Sequence, residues 1–387
     1  MILTRCPACA APLPELTAKQ CSRCKTRYCG QTCQEYHWKE GGHDKLCKPI
    51  KKAGGAEQYN ANKKYAEAVA VAAEACAEDT KGQTCYICTQ ALHWKTKEGL
   101  VRMCACRGTA GFAHVSCLAE QAKILFAEAE ANNLDYKAKN ERWGRWHTCS
   151  LCEQDYHGVV WCALGWACWK TYVGRPETDQ ARGFAMGRLG SGLSAADREA
   201  EALSVQEAEL SMKRRLGASE YDLLAVQSNL SLTYSALGRN EEALSLRQEI
   251  YSRHLKLDGE ESRETLVIAF NYAVSLVTLR RFEKAKLLLR KTTPVARRVL
   301  GESHELTLKM RWIYSKTLCA NADEFLEAVT TLEETERIAR RVLGRAHPLT
   351  SMIERQLQKT RDVLAARDGI NVRAIGEAVA AMATSDA

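Results

Sequence analysis

The stretch SNLSLTYSALGRNEEALSL, residues 228–246, returns 42 residues later as FNYAVSLVTLRRFEKAKLL, residues 270–288. Asn229 and Asn271 hold the same place in the two copies, and Arg280 stands where the first copy has Gly238. Leu216-Gly217, Leu257-Asp258-Gly259, Leu300-Gly301 and Leu343-Gly344 mark one phase of the same period, their glycines 42, 42 and 43 residues apart. Self-similarity at such a period signals stacked units, none of which can bury its apolar stripe alone. Each unit is expected to be two antiparallel helices turning at Gly238 or Arg280, over about residues 180–365. The first unit, near 181–216, and the last helix, near 347–365, keep the pattern least well. CANADEFLEAVTTLEE, from Cys319, replaces the usual turn of the third unit. Pro294 falls inside the helix expected from Arg281 to Val299, where it removes a hydrogen bond and should bend the helix and reshape the concave surface.

Working back from the repeats, the composition changes abruptly. Seventeen of the 18 cysteines lie before residue 169, and six of the eight tryptophans do too. After residue 180 the chain is rich in Ala, Leu, Glu and Arg, with Cys319 its one cysteine. A length of 387 residues fits two or three domains. The longest apolar run, Val159 to Trp169, is half of the roughly 20 residues a spanning helix needs, so no membrane segment is expected. The opening MILTRCPAC lacks an apolar signal core, which predicts a soluble protein of cytoplasm or nucleus. Cysteines there stay reduced, and paired spacings then point to metal rather than to disulfides.

Residues 6 to 47 read Cys6-x2-Cys9, Cys21-x2-Cys24, Cys29-x3-Cys33 and His43-x3-Cys47. A tight turn between two donors sets both on one tetrahedral zinc, so these eight positions make two sites. The segment has few large apolar residues, and metal binding would supply the missing folding free energy. His37 lies four residues after Cys33 and competes with His43 on spacing alone. A second group follows: Cys85-x2-Cys88, Cys104-x-Cys106, His114-x2-Cys117 and Cys149-x2-Cys152. Counting fourteen thiolates and four divalent ions lowers the formal net charge of +8 by six, so nucleic-acid binding is not expected. Between the groups, Asn60 to Cys76 is alanine-rich and free of Pro and Gly, which predicts a helix. Cys76, Cys162 and Cys168 lack paired neighbours and read as packing residues, as do His93, His147 and His157.

The first group, with Tyr28 before Cys29, resembles the MYND zinc finger. The resemblance implies interleaved sites: Cys6, Cys9, Cys29 and Cys33 on one zinc, Cys21, Cys24, His43 and Cys47 on the other. MYND fingers are mostly peptide-binding modules. The second group, around CRGTAGFAHVSCL at 106–118, resembles the RING-CH finger. That resemblance implies one zinc on Cys85, Cys88, His114 and Cys117 and another on Cys104, Cys106, Cys149 and Cys152. It further implies a surface that docks a ubiquitin-loaded conjugating enzyme through Ile87, Leu118 and Leu151. Gln121 stands where the family usually has tryptophan, and Trp143 or Trp146 is expected to fold back in its place. Glu153 stands where many active RING domains carry a basic residue.

The repeats resemble tetratricopeptide repeats of the kinesin-light-chain type, on Tyr234, Leu237, Gly238, Ala243, Leu244, Leu279 and Ala285. Their inner helices would offer Asn229, Tyr234 and Asn271 to a peptide or substrate. The expected fold is therefore small zinc-stabilised α/β modules followed by an all-α superhelical solenoid. Its expected parts are a MYND finger (1–50), helical linker (51–82), RING-CH finger (83–155), Trp-rich connection (156–179), repeats (180–365) and mobile tail (366–387). Taken together, the resemblances imply a ubiquitin ligase with no catalytic nucleophile of its own. It would bind four zinc ions and hold substrate on its repeats. The alternative is a non-catalytic scaffold joining partner proteins. A metal hydrolase is disfavoured, because every proposed site is filled by four protein ligands.

Overall fold

The computed structural model of the chain describes residues 6–11, 13, 18–345 and 347–383, with side chains described as far as residue 366, Ala322 excepted. Among the described residues it holds fifteen helices and one two-stranded ribbon, the remainder being turns. The chain divides into two compact units at the Leu237–Gly238 junction.

The first unit opens with β1 (Lys19–Gln20) and β2 (Arg27–Tyr28), paired antiparallel, and two short helices, α1 (Gln31–Lys39) and α2 (His43–Lys52). Their small core gathers Tyr28, Ile50 and the cysteines themselves. The alanine-rich segment forms α3 (Ala56–Ala75), four residues longer at its start than the composition suggested. Then follow α4 (Val115–Ala131), α5 (Tyr136–Gly144), α6 (Gly158–Tyr172), α7 (Gln180–Ala195), α8 (Glu199–Arg215) and α9 (Glu220–Ala236).

Helix α6 is the centre of this unit. It carries the VVWCALGWACW run, is apolar on every side, and so must be enclosed. It packs against α3, α4 and α7, and Trp166, Trp169, Cys162 and Cys168 are all buried in the shared core. Each buried tryptophan removes roughly 200 Å² from water, about 5 kcal/mol before ordering entropy is charged against it. The connecting segment, whose Cys162 and Cys168 read as packing residues, thus lies in a core running from Ala61 to Met212. Close approach of α6 and α7 depends on missing side chains. A Cβ at Gly165 would lie 3.0 Å from the Arg188 carbonyl, and one at Gly192 would lie 2.8 Å from that of Trp161.

The second unit contains α10 (Asn240–Leu257), α11 (Arg263–Thr278), α12 (Phe282–Leu300), α13 (Glu305–Leu318), α14 (Phe325–Leu343) and α15 (Pro348–Ala383). Each packs against the next, and α11 also touches α13. The period is visible in the punctuation. Gly301 and Gly344 end their helices at φ 96° and 85°, and His304 three residues on caps α13, its ring nitrogen accepting from the Leu306 amide. Gly238 and Arg280 both sit in the left-handed region, at φ 74° and 55°, at the expected turns. CANADE departs from the pattern by inserting a 3-10 turn, Ala322–Glu324, ahead of α14. Helix α12 runs on through Pro294. The last helix continues to Ala383, past the 365 expected, while residues 384–387 of the tail lie outside those described.

Candidate metal centres

Four turns of one shape present the paired cysteines. In Cys6–Cys9, Cys21–Cys24, Cys85–Cys88 and Cys149–Cys152, the residue after the second cysteine is left-handed: Ala10, Lys25, Thr89 and Glu153, at φ 56–62°. Its amide donates to the carbonyl of the first cysteine, at 2.8 to 3.0 Å. The amide of the first cysteine in turn donates to the carbonyl five residues on. The turn leaves the sulfurs aligned and their backbone occupied. Amides of Ile87 and Leu151 also point at the sulfurs of Cys85 and Cys149, at 3.4 Å, and at Cys85 such backbone donors outweigh burial and favour the thiolate.

Of the remaining donors, Cys29, Cys104 and Cys106 lie in loops and the other five on or at the start of helices. Cys33 lies in the first turn of α1, His43 and Cys47 lie one turn apart on α2, and His114 and Cys117 open α4. Four sets result, with all ligand atoms in each within 4.8 Å of one another. They are Cys6, Cys9, Cys29 and Cys33; Cys21, Cys24, His43 and Cys47; Cys85, Cys88, His114 and Cys117; Cys104, Cys106, Cys149 and Cys152. Sulfur–sulfur separations are 3.5 Å for Cys9–Cys29 and 3.8 Å for Cys21–Cys47 and Cys106–Cys149. A tetrahedral zinc with sulfur at 2.3 Å requires about 3.8 Å. The residues present therefore fit zinc, and each set can hold one ion.

The histidines agree. His114 Nε2 donates to the Ala91 carbonyl at 3.3 Å, which leaves the Nδ1 lone pair aimed at Cys88 and Cys117, 3.4 and 3.6 Å away. His43 turns Nε2 toward Cys24 at 3.4 Å. Burial holds both imidazoles below the usual histidine range, in the neutral form a metal needs. Crowding splits the thiols. Burial would raise Cys6, but backbone amides at Cys29, Ala8 and Cys9 outweigh it and bring it down to about 6. Cys33, hydrogen-bonded by Cys29 and Cys9, is pushed up to about 12. Four adjacent thiolates are mutually repulsive, and a divalent cation removes that conflict. Gly111, at φ 86°, lets the backbone pass Cys106, for a Cβ there would lie 2.6 Å from the cysteine Cβ.

The other histidines and cysteines have separate occupations. His37 Nδ1 meets the Tyr28 hydroxyl at 3.0 Å and its ring lies beside that of His43. His147 stacks on Trp161, and His157 precedes α6. Cys76 Sγ accepts from the Arg102 amide at 3.5 Å. His93 was legible only as packing, yet it builds a fifth turn of the same shape. Its amide donates to the Glu98 carbonyl, Lys97 is left-handed at φ 60°, and Thr96 stands in the second cysteine's place. The Thr96 amide donates to His93 Nδ1 at 3.1 Å, and the imidazole packs edge-on to His114. With no cysteine in it, this turn carries no signal in residue spacing.

Among the expected docking residues, Ile87 and Leu151 are 38% and 51% exposed, and the Tyr86 and Ser150 hydroxyls beside them meet at 3.0 Å. Leu118 is corrected: it is 4% exposed, turned into the core by the first turn of α4. Trp143 and Trp146 do not replace the ring missing at Gln121. Both are buried against Tyr172, with Phe126 also on Trp143, because α5 packs its aromatic side onto α4. Asn229 and Tyr234 are half-buried on α9, and Asn271 is half-buried on α11, where its carbonyl accepts from Arg247 at 3.4 Å.

Comparison with known proteins places a MYND finger at residues 4–47 and tetratricopeptide repeats at residues 222–298, which leaves residues 85–152 outside both matches. No curated protein sequence is similar enough to register as a relative. In structure the chain is similar to a Podosopora anserina putative kinesin light chain with nearly identical TPR-like repeats. Identity is 18%, over 59% of this chain and 97% of that one, with a TM-score of 0.41. It is also similar to BtubC (BKLC) from P. vanneervenii, at 12% identity over 65% of this chain and 91% of that one, with a TM-score of 0.33.

Proposed function

We propose that this chain, a MYND finger and tetratricopeptide repeats with a second zinc-binding pair between them, is a scaffold that joins partner proteins. The observation that carries this reading is that each ligand set is complete in four protein donors, with exposed apolar side chains close by in sequence. A filled tetrahedral site gives a substrate nowhere to bind the metal, so zinc's contribution is folding free energy. What is left for function is surface. Tyr36 and Trp38 on the first finger, and Ile87, Trp94 and Leu151 on the second, are each at least 38% exposed, apolar surface that a partner can cover. No helix among the described residues is long and apolar enough to cross a membrane.

A ubiquitin ligase of RING-CH type is the second reading. The hydroxyl contact between Tyr86 and Ser150 favours it, because it ties together the two turns that expose Ile87 and Leu151. Such a ligase works by positioning a loaded conjugating enzyme, without a nucleophile of its own. Buried Leu118 and Gln121 in the tryptophan position weigh against it. Discharge of ubiquitin from a panel of charged conjugating enzymes onto free lysine separates the two. The scaffold reading expects the rate of each enzyme alone. Acceleration by the full chain that Ile87→Ala abolishes would replace it with the ligase.

A further inference from the structure

We infer that the second unit carries a binding site for a phosphate monoester, the phosphorylated serine or threonine of a partner polypeptide. The site is a pocket of about 280 Å³ where α12, α13 and α14 meet. It deepens the interaction reading of the repeats and is independent of whether the fingers recruit a conjugating enzyme.

The lining is cationic and rich in unused donors. Arg290, Arg297 and Arg311 face it with one carboxylate, Glu334, so its walls carry a net charge of +2. Arg311 is 9% exposed and held in place by Glu302 and Glu334. The Arg297 guanidinium has no partner among the described residues, although three helices converge beside it.

The hydroxyls are the second, independent observation. Thr307 is fully buried and lines the pocket, and its Oγ1 has no hydrogen-bond partner. Thr293 Oγ1, across the pocket on α12, is likewise buried and unpartnered. Helical threonines ordinarily bond back to a carbonyl one turn earlier. In this unit Thr292 does so to Leu288 at 2.9 Å and Thr335 to Thr331 at 2.6 Å. Thr307 and Thr293 thus bring two unmet hydroxyls to the pocket from two helices, donors that a ligand's oxygens can meet.

Pro294 lines this pocket too. Lacking an amide N–H, it also leaves the Arg290 carbonyl without its usual helical donor. The pocket is separate from the face on which α11 and α13 pack together, since it is flanked by the second helices, α12 and α14.

A phosphate monoester answers each of these features. It carries close to two negative charges at neutral pH, matching the walls, and three oxygens that accept from guanidinium and hydroxyl donors together. A single carboxylate would leave one charge uncompensated.

Calorimetric titration of the zinc-loaded full chain with the peptide Gly-Ala-phosphoserine-Ala-Gly tests the assignment. Its glutamate and unphosphorylated counterparts and inorganic phosphate serve as parallel arms. The phosphopeptide should bind at least about tenfold more tightly than the glutamate peptide, and Arg297→Gln should remove about tenfold or more of that affinity. Thr307→Val should weaken binding several-fold without lowering the melting temperature, because its hydroxyl has no internal partner to lose. Equal affinity for phosphoserine and glutamate, or indifference to Arg297→Gln, overturns the site. Inorganic phosphate binding as tightly as the phosphopeptide overturns the polypeptide source.

Discussion

Gly192→Ala should destabilise the protein even though alanine is the better helix former. A Cβ at this position on α7 would lie 2.8 Å from the Trp161 carbonyl oxygen and 3.2 Å from the Cys162 Cα. Both are backbone atoms of α6, so no side chain can rotate aside and the two helices must separate. Overpacking of this kind costs typically about 1–3 kcal/mol. Opposing it, alanine gains about 1 kcal/mol over glycine inside a helix. Backbone on both sides puts the cost at the upper end, for a net loss of about 2 kcal/mol. That corresponds to a fall of roughly 4–8 °C in Tm for a unit of this size. Gly183→Ala, on the same helix, is the control. Its nearest neighbour is the flexible Met212 Cε at 3.8 Å, so the same substitution there should raise stability by about 0.5–1 kcal/mol. Thermal unfolding of both variants with excess zinc gives the answer. Shifts in the same direction, or a Gly192→Ala protein as stable as the parent, would refute glycine-dependent packing of α6 on α7.

Zinc content measured by elemental analysis should fall by at least one ion per chain in Cys104→Ser and stay unchanged in Cys76→Ser, whose sulfur lies in no ligand set. Glu209 is almost fully buried on α8, and burial raises its carboxyl above the ordinary range, only partly offset by Lys213 at 3.3 Å. A raised carboxyl favours the folded state below the unfolded value and loses that advantage as pH climbs through the folded one. Glu209→Gln should therefore be more stable than the parent by about 1 kcal/mol at pH 7.5, with the gap closing toward pH 4 in denaturant titrations. Arg280 holds φ 55° where the preceding repeat uses Gly238, so Arg280→Gly should relieve strain and gain about 0.5 kcal/mol by the same titrations.

Much of this architecture is written in spacing. The glycines at 217, 259, 301 and 344 recur because each ends a helix, three of them before the capping residue of the next. The four C-x2-C pairs stand out because one turn geometry serves them all. Which pairs converge is not in the spacing: Cys6 meets Cys29 across 23 residues while Cys21 lies between, and only the family resemblance suggested it. In residues 156–179 the packing character of the apolar run was legible, but not which elements enclose it. Once α3, α4 and α7 are in place, enclosing α6 is the only way to cover all its sides. Trp143 and Trp146 were drawn into that core for the same reason. The pocket at Arg297 had no signature either, for its residues are spread over three helices and 46 positions of sequence, and only Pro294 stood out.

Four ligand sets, each complete in protein donors, leave the chain to act through its surfaces. Native mass spectrometry of the full chain, purified without added metal, tests this most directly. Four zinc ions per chain are predicted. A chain that is folded with two, leaving either group of cysteines metal-free, would contradict it.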